Sequence, residues 1–249
     1  MKKSVDVFYG EDKNQVLDIY LPDCEEFPVF VYFHGGGLVG GDKSEEKVMC
    51  EYLCNSGVAV VNANYRMYPQ ISYPDFLEDA AKVCDWVLKN IENYGKSKGI
   101  YIGGSSAGGY ISQMLCFDRR WLGKFGISPM QFAGFIHDAG QPTAHFNILK
   151  NRGVDSRRVI VDETASLYHV GEDEEYPPML IIVSDNDMEN RYEQTLLLIS
   201  TLKHFGHCGD SVKLKVMHGG HCAYVNAVDD NNESILGKLI YNFIKGVNL

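Results

Sequence analysis

The chain has 249 residues, 45% of them hydrophobic and 22% charged, and its 33 acidic and 23 basic side chains give a formal net charge of −10. That length holds one α/β domain of ordinary size or two small ones, and the composition excludes disordered and fibrous classes. An acidic surface repels phosphate backbones, and the densest basic cluster, Arg152, Arg157 and Arg158, is flanked by Asp155 and Asp162, so no nucleic-acid partner is expected.

No secretory leader is expected over Met1–Gly10, because Lys2 and Lys3 are followed by Asp6, Glu11 and Asp12 without an apolar run. Val5–Tyr9 and Val16–Leu21 predict short strands. Val29–Phe33 (VFVYF) is a continuous β-branched and aromatic run, as expected of a strand covered on both faces. Glu45–Asn55 predicts a helix stopped by Gly57, and Val58–Asn62 the next buried strand. Pro74 opens an amphipathic helix reaching roughly to Tyr94, with Phe76, Ala80, Val83, Val87 and Ile91 on one stripe and Gly95 as its stop. Gly99–Ile102 predicts a strand, Ala107–Phe117 a helix, Phe132–Ile136 and Met179–Val183 strands, Glu193–Phe205 a helix, Val212–Val216 a strand and Ile235–Ile244 a terminal helix.

This alternation predicts an α/β fold: a mostly parallel central sheet with helices on both faces, and ligands at the carboxyl ends of its strands. Residues 1–249 read as a single domain, since no linker or composition break divides them. Gln141–Tyr176 is polar, irregular and long, and is expected to form a lid-like insertion over the same sheet edge. No window approaches eighteen apolar residues, so no membrane span is expected. Seven cysteines, without framework spacing, suit reduced thiols and a cytoplasmic setting. The pattern does not reveal the oligomeric state.

The strongest chemical signal is Gly104-Ser105-Ser106-Ala107-Gly108, a G-x-S-x-G pattern between a predicted strand and a predicted helix. A sharp turn there exposes the Ser106 hydroxyl above the sheet edge and aims the Ala107 N–H at the same space, with glycines where a Cβ would clash. Taken alone, the motif also fits a glycine-rich helix start that binds an anion. Gly95-Lys96-Ser97-Lys98-Gly99 matches the same pattern but leaves a helix and enters a strand, so it reads as a solvated turn. A second signal, His34-Gly35-Gly36-Gly37, follows the strand Val29–Phe33. Successive glycines let backbone N–H groups approach a reacting atom, as an oxyanion requires.

With both motifs in this order, the sequence resembles the α/β-hydrolase superfamily, and within it the hormone-sensitive-lipase-like carboxylesterases and acetyl esterases. Asn64-Tyr65-Arg66, Tyr73-Pro74 and Asp79 extend the resemblance, which covers roughly Val29 to Tyr224. It implies an α/β-hydrolase fold with a reduced cap and Ser106 as a serine nucleophile. It further implies an oxyanion hole built on the N–H groups of Gly36, Gly37 and Ala107, braces at Tyr65, Arg66 and Asp79, and no cofactor. Family chain order is serine, acid, histidine. His221 and His218 both follow the strand Val212–Val216, and His221 suits the short loop beyond that strand better. Asp187 aligns with the family acid, and Asp185 remains the alternative, as a turn-former or as the acid itself.

Metal readings are weaker. His204-x-x-His207-Cys208 and His218-x-x-His221-Cys222 lack both paired cysteine spacing and an HExxH carboxylate, so no metal is expected. Cys222 beside His221 reads as packing rather than as a nucleophile. The expected activity is a serine esterase that cleaves short-chain acyl esters, acetyl-like in size, through a Ser106–His221–Asp187 catalytic triad, with a small-molecule ester as its partner. Leu38 stands where the family places an aromatic residue. Two other readings stay open: an arylformamidase using the same residues on a formyl amide, and a catalytically silent hydrolase fold serving as a binding module.

Overall fold

The computed structural model of the chain describes residues 1–171, 173 and 175–247. Eight strands form one sheet: β1 (Lys2–Phe8), β2 (Val16–Leu21), β3 (Glu26–Phe33), β4 (Ala59–Ala63), β5 (Lys96–Ser105), β6 (Gly134–Asp138), β7 (Met179–Ser184) and β8 (Val212–Met217). Their order across the sheet is β1-β2-β4-β3-β5-β6-β7-β8. β1 and β2 join antiparallel at one edge, and every pair from β4 to β8 is parallel. The parallel centre needs cover on both faces, which accounts for the apolar runs Val29–Phe33 in β3, Ala59–Val61 in β4 and Met179–Val183 in β7.

That cover comes from helices on each side. α1 (Lys47–Asn55) and α8 (Ile235–Lys245) close one face over Phe30, Tyr32, Val60, Ile136 and Leu180. α2 (Asp75–Asn90), α3 (Ala107–Phe117) and α7 (Arg191–His204) close the other over Val31, Phe33, Val61, Ile102 and Ile181. α2 turns Phe76, Ala80, Val83 and Val87 inward and carries Asp75 and Glu78 in its first turn, where they complement the helix dipole. The short α4 (Arg119–Gly123) is capped by Asp118, which accepts the Arg120 N–H.

Several boundaries differ from the sequence reading: β1 begins at Lys2, β6 spans Gly134–Asp138, and β5 begins at Lys96, so that Ser97 lies in a strand and not in the expected solvated turn. The helix opened by Pro74 ends at Asn90, and a single 3-10 turn, Ile91–Asn93, leads into Gly95. β5 runs on to Ser105, beyond the expected end at Ile102. Gly103 and Gly104 look like strand breakers in sequence. They belong to the strand because a Cβ on Gly103 would lie 2.8 Å from the Phe30 ring, and one on Gly104 would lie 2.5 Å from the Phe33 carbonyl.

The chain leaves β3 for β4 on one side and returns to β5 on the other, so β3 and β5 are neighbours with Phe33 opposite Gly104. This reversal of strand order opens a crevice at their carboxyl ends, where ligands of such sheets bind. The His34–Gly37 loop and the Ser106 turn therefore meet at that point. The described residues of the expected insertion 141–176, which exclude 172 and 174, carry α5 (Phe146–Asn151) and α6 (Ser166–His169) and are more deeply packed than their polar composition suggests. Gln141, Thr143, His145, Ile148, Leu149, Thr164 and Ser166 are all buried. The Tyr110 hydroxyl donates to the Thr164 carbonyl at 2.8 Å, and Ser166 Oγ to Gln113 Oε1 at 2.9 Å, which ties the segment to α3. No helix among the described residues is long and apolar enough to cross a membrane.

Candidate active site

Ser106 adopts φ 55°, ψ −111°, a backbone conformation that an L residue rarely occupies. Holding it there costs on the order of 1–3 kcal/mol. The surroundings enforce it: the Ser106 N–H donates to the Asp138 carbonyl at 2.8 Å, and its own carbonyl accepts the Tyr110 N–H of α3 at 2.9 Å. Gly108 lies so close beneath β3 that a Cβ there would fall 1.8 Å from the Phe33 carbonyl oxygen. The G-x-S-x-G spacing thus records a steric requirement on both sides of the serine.

The structure brings the three sequence-selected side chains into one chain of hydrogen bonds. Ser106 Oγ lies 2.8 Å from His221 Nε2, and His221 Nδ1 lies 2.5 Å from Asp187 Oδ1. The Asp187 side chain is fully buried and that of His221 is 22% exposed, so the imidazole can meet a substrate while the carboxylate cannot. Burial alone would raise the Asp187 carboxyl, but hydrogen bonds from His221 and from the Met188 and Ser184 amides outweigh it and hold the group below its usual range. Asp187 is therefore a carboxylate at neutral pH.

The two alternatives, Asp185 and His218, pair with each other instead. Asp185 Oδ2 and His218 Nδ1 are 2.7 Å apart on the surface, with His218 97% exposed. The decoy Ser97 lies near the start of β5, at the opposite end of the strand from Ser106.

The glycine loop leaves β3 through His34, whose buried ring stacks on Tyr65 with centroids 4.5 Å apart. The Tyr65 hydroxyl donates to the His34 carbonyl at 2.9 Å. Gly36 and Gly37 both have positive φ, 98° and 65°, and a Cβ on Gly36 would collide with the Gly40 carbonyl. The N–H groups of Gly36, Gly37 and Ala107 are absent from the hydrogen bonds formed among the described residues. Below this loop Asp79 is fully buried and takes three donors from Arg66, its backbone N–H at 3.0 Å, Nε at 2.8 Å and a terminal guanidinium nitrogen at 2.7 Å. Asp79 also accepts from Gln15 at 2.6 Å.

Several contributors escaped the sequence reading. Asp138, at the end of β6, is fully buried; it accepts from Ser105 Oγ through one carboxylate oxygen and from the Tyr224 hydroxyl through the other. Tyr32 donates to Ser105 Oγ at 2.8 Å. These groups join the turn that holds Ser106 to the loop that holds His221. Burial pushes the Asp138 carboxyl up to about 6 against the opposing pull of its two hydrogen bonds. A carboxylate directly after an apolar strand that adjoins the serine strand was the available signal. Asn147 Nδ2 donates to the Gly37 carbonyl at 2.6 Å, and nothing in the sequence pattern marks it. Cys222 Sγ lies 3.6 Å from His221 Nε2, and burial pushes its thiol well above the ordinary range, so it stays protonated. Among the described residues no group of three or more His, Cys, Asp or Glu side chains could hold a metal ion.

A family model for the α/β-hydrolase fold matches residues 30–225. The chain belongs to the α/β-hydrolase fold family. This α/β hydrolase is 36% identical over 104 residues to the esterase LipI of Mycobacterium tuberculosis, an alignment covering 41% of the chain and 32% of that protein. It is 30% identical over 134 residues to the kynurenine formamidase of Danio rerio, covering 53% of the chain and 44% of the relative. The matched region thus spans less than half the length of either relative. The crystal structure of esterase B from Lactobacillus rhamnosis superposes with a TM-score of 0.76 at 18% identity, covering 98% of this chain and 85% of that one; at that identity the likeness is one of fold.

Proposed function

We propose that this α/β hydrolase is a serine carboxylester hydrolase that cleaves short-chain, acetyl-like esters through an acyl-enzyme. The observation that carries the reading is the unbroken path of hydrogen bonds from Ser106 Oγ through His221 to the buried Asp187 carboxylate. Ser106 Oγ attacks the acyl carbonyl as its proton passes to His221 Nε2, and Asp187 fixes the tautomer and stabilises the imidazolium. The oxyanion is received by the N–H groups of Gly36, Gly37 and Ala107, each such donor being worth roughly 3–4 kcal/mol of barrier. His221 then protonates the leaving alkoxide. Water completes the cycle by the reverse assignment, giving its proton to His221 as it attacks the acyl carbon, and the carboxylic acid leaves as Ser106 is reprotonated. The chemistry requires no cofactor.

A short acyl group is supported by the modest size of the neighbouring cleft, about 240 Å³, whose lining residues Phe146 and Met188 approach Gly37 and Asp187. We take residues 141–176 as a fixed wall of that cleft within a single domain, because their buried hydrogen bonds to α3 would have to break for them to swing away. A reducing, cytoplasmic setting agrees with seven free cysteine thiols. The test is hydrolysis of p-nitrophenyl acetate together with labelling by a fluorophosphonate. Both should vanish in Ser106→Ala, and turnover that persists in that variant refutes the assignment. The match to a kynurenine formamidase favours one second reading, cleavage of a formyl amide by the same residues. Faster turnover of N-formylkynurenine than of any acetate ester would establish it.

A further inference from the structure

The basic cluster at Arg152, Arg157 and Arg158, left without a role by the overall acidic charge, gains one from its surroundings. Arg152 is neutralised by Asp162 at 2.9 Å and Arg157 by Asp155 at 2.6 Å. Arg158 forms no direct ion pair among the described residues, although Asp155, already paired with Arg157, feels its charge at longer range. The same cleft that adjoins the proposed active site is lined by Arg157, Arg158 and Arg191, together with Gln141, Gln194 and Glu189.

Arg191 is the more unusual of these. Its residue is only 3% exposed, yet it has no paired carboxylate: one terminal nitrogen donates to the Ala139 carbonyl and the other to Gln141 Oε1 at 3.3 Å. A buried guanidinium has five donors to satisfy, and an uncompensated one is expensive. Burial pulls it toward losing its proton, with Asp187 opposing. Its position relative to the chemistry is fixed by the chain. Ala139 follows Asp138, whose carbonyl holds the Ser106 N–H, and Arg191 follows Asp187 by one turn of backbone. Two of the cleft's lining residues touch the proposed site: the Phe146 ring comes within 3.5 Å of where a Cβ on Gly37 would stand, and the Met188 N–H donates to Asp187 Oδ1 at 2.7 Å.

We propose that this cleft is an anion-recognising subsite, and that the substrate is a small ester carrying a carboxylate, held by Arg158 at the rim and Arg191 at the floor. The inference rests on the esterase reading for the identity of the reacting bond, while the subsite itself stands on the two arginines. Glu189 on the rim opposes one of the two charges, so the cleft retains one net positive charge for an anion. The carboxylate can belong to the acyl half or to the alcohol half of the ester, and the test separates them.

Mono-p-nitrophenyl glutarate is compared with p-nitrophenyl valerate for the acyl side, and 4-acetoxybenzoate with methyl 4-acetoxybenzoate for the alcohol side. At least one charged member should exceed its neutral counterpart in kcat/KM by about tenfold at low salt, and the ratio should shrink as ionic strength rises. Arg158→Glu should reverse that preference. Equal rates for charged and neutral members, with Ser106 still labelled by a fluorophosphonate, would overturn the subsite and leave the esterase reading standing. A turnover-independent arm guards the converse case. Calorimetric titration of Ser106→Ala with monoethyl succinate should give binding that diethyl succinate does not, and Arg158→Glu in the same background should remove it. Absence of that binding overturns the subsite whatever the activity. Arg191→Gln, used only if its circular dichroism and urea transition stay cooperative, should weaken the same binding at least as much.

Discussion

Removing one hydroxyl, in Tyr224→Phe, isolates the network beneath Ser106. The ring still fills its buried site, so the packing change is small. What is lost is one of the two side-chain hydrogen bonds to Asp138, a carboxyl fully enclosed by protein and pushed up to about 6 by that enclosure. A hydrogen bond to a charged acceptor contributes about 1.5–3 kcal/mol, and one to a neutral acceptor about 1 kcal/mol. The loss should therefore depend on pH. At pH 5 Asp138 is largely protonated, and the variant should lose about 1 kcal/mol of stability by this reasoning. At pH 8 it is ionised, and the loss should reach about 2–3 kcal/mol, because the ionised form depends most on the missing donor.

The direction follows from linkage. Folding raises this carboxyl above its unfolded range, so the native state holds the proton more tightly than the unfolded chain. Its effect on stability is favourable at low pH and is lost as pH rises through the native value. Removing a donor raises the native value further, by roughly one unit for each 1.4 kcal/mol of differential loss, so the pH-dependent part of the difference should develop between pH 6 and 8. Urea titrations of both proteins across pH 5–8 measure it, and contributions common to both cancel in the comparison. An equal loss at pH 5 and pH 8 would refute the argument that Asp138 ionises in this range with Tyr224 as its donor.

The remaining predictions concern the site's supports. Asp187→Asn should lower kcat by on the order of 10⁴, as expected when the imidazole loses its orienting carboxylate, whereas Asp185→Asn should stay within a few-fold; steady-state kinetics with p-nitrophenyl acetate compare them directly. Asn147→Ala frees the Gly37 carbonyl and should lower kcat about tenfold with a smaller change in KM, since it disturbs donors that act mainly in the transition state. Asp79→Ala leaves the Arg66 guanidinium and the Gln15 amide without their buried acceptor, and should destabilise the fold by roughly 3–5 kcal/mol in urea titration.

Much of this architecture is legible in the sequence, for identifiable reasons. The parallel strands are covered on both faces, so β3, β4 and β7 read as apolar runs, and α2 announces itself by a single stripe. Ser106 and the glycine loop are legible because steric demands leave glycine almost no substitute at Gly36, Gly104 and Gly108. Only the family resemblance separates His221 and Asp187 from His218 and Asp185 in the sequence. Local pattern alone could not decide, since both pairs follow the same strands and both form hydrogen bonds. The roles of Asp138, Tyr224 and Asn147 are not legible locally, because Asp138 bonds Ser105 and Tyr224 across 33 and 86 residues and Asn147 bonds Gly37 across 110. The segment 141–176 hid its two helices for a related reason. Its buried polar groups are satisfied by α3 and α7, so it needs no apolar stripe of its own.

The hydrogen bond from Asn147 to Gly37 has an evolutionary corollary. The segment that lines the cleft also holds the glycine loop proposed to receive the oxyanion. Selectivity and speed are thereby mechanically coupled, and an exchange of this segment for one from another hydrolase would alter both together. Laboratory attempts to retune substrate choice would meet fewer losses by leaving Asn147 and its helix in place and varying the arginine-bearing stretch that follows.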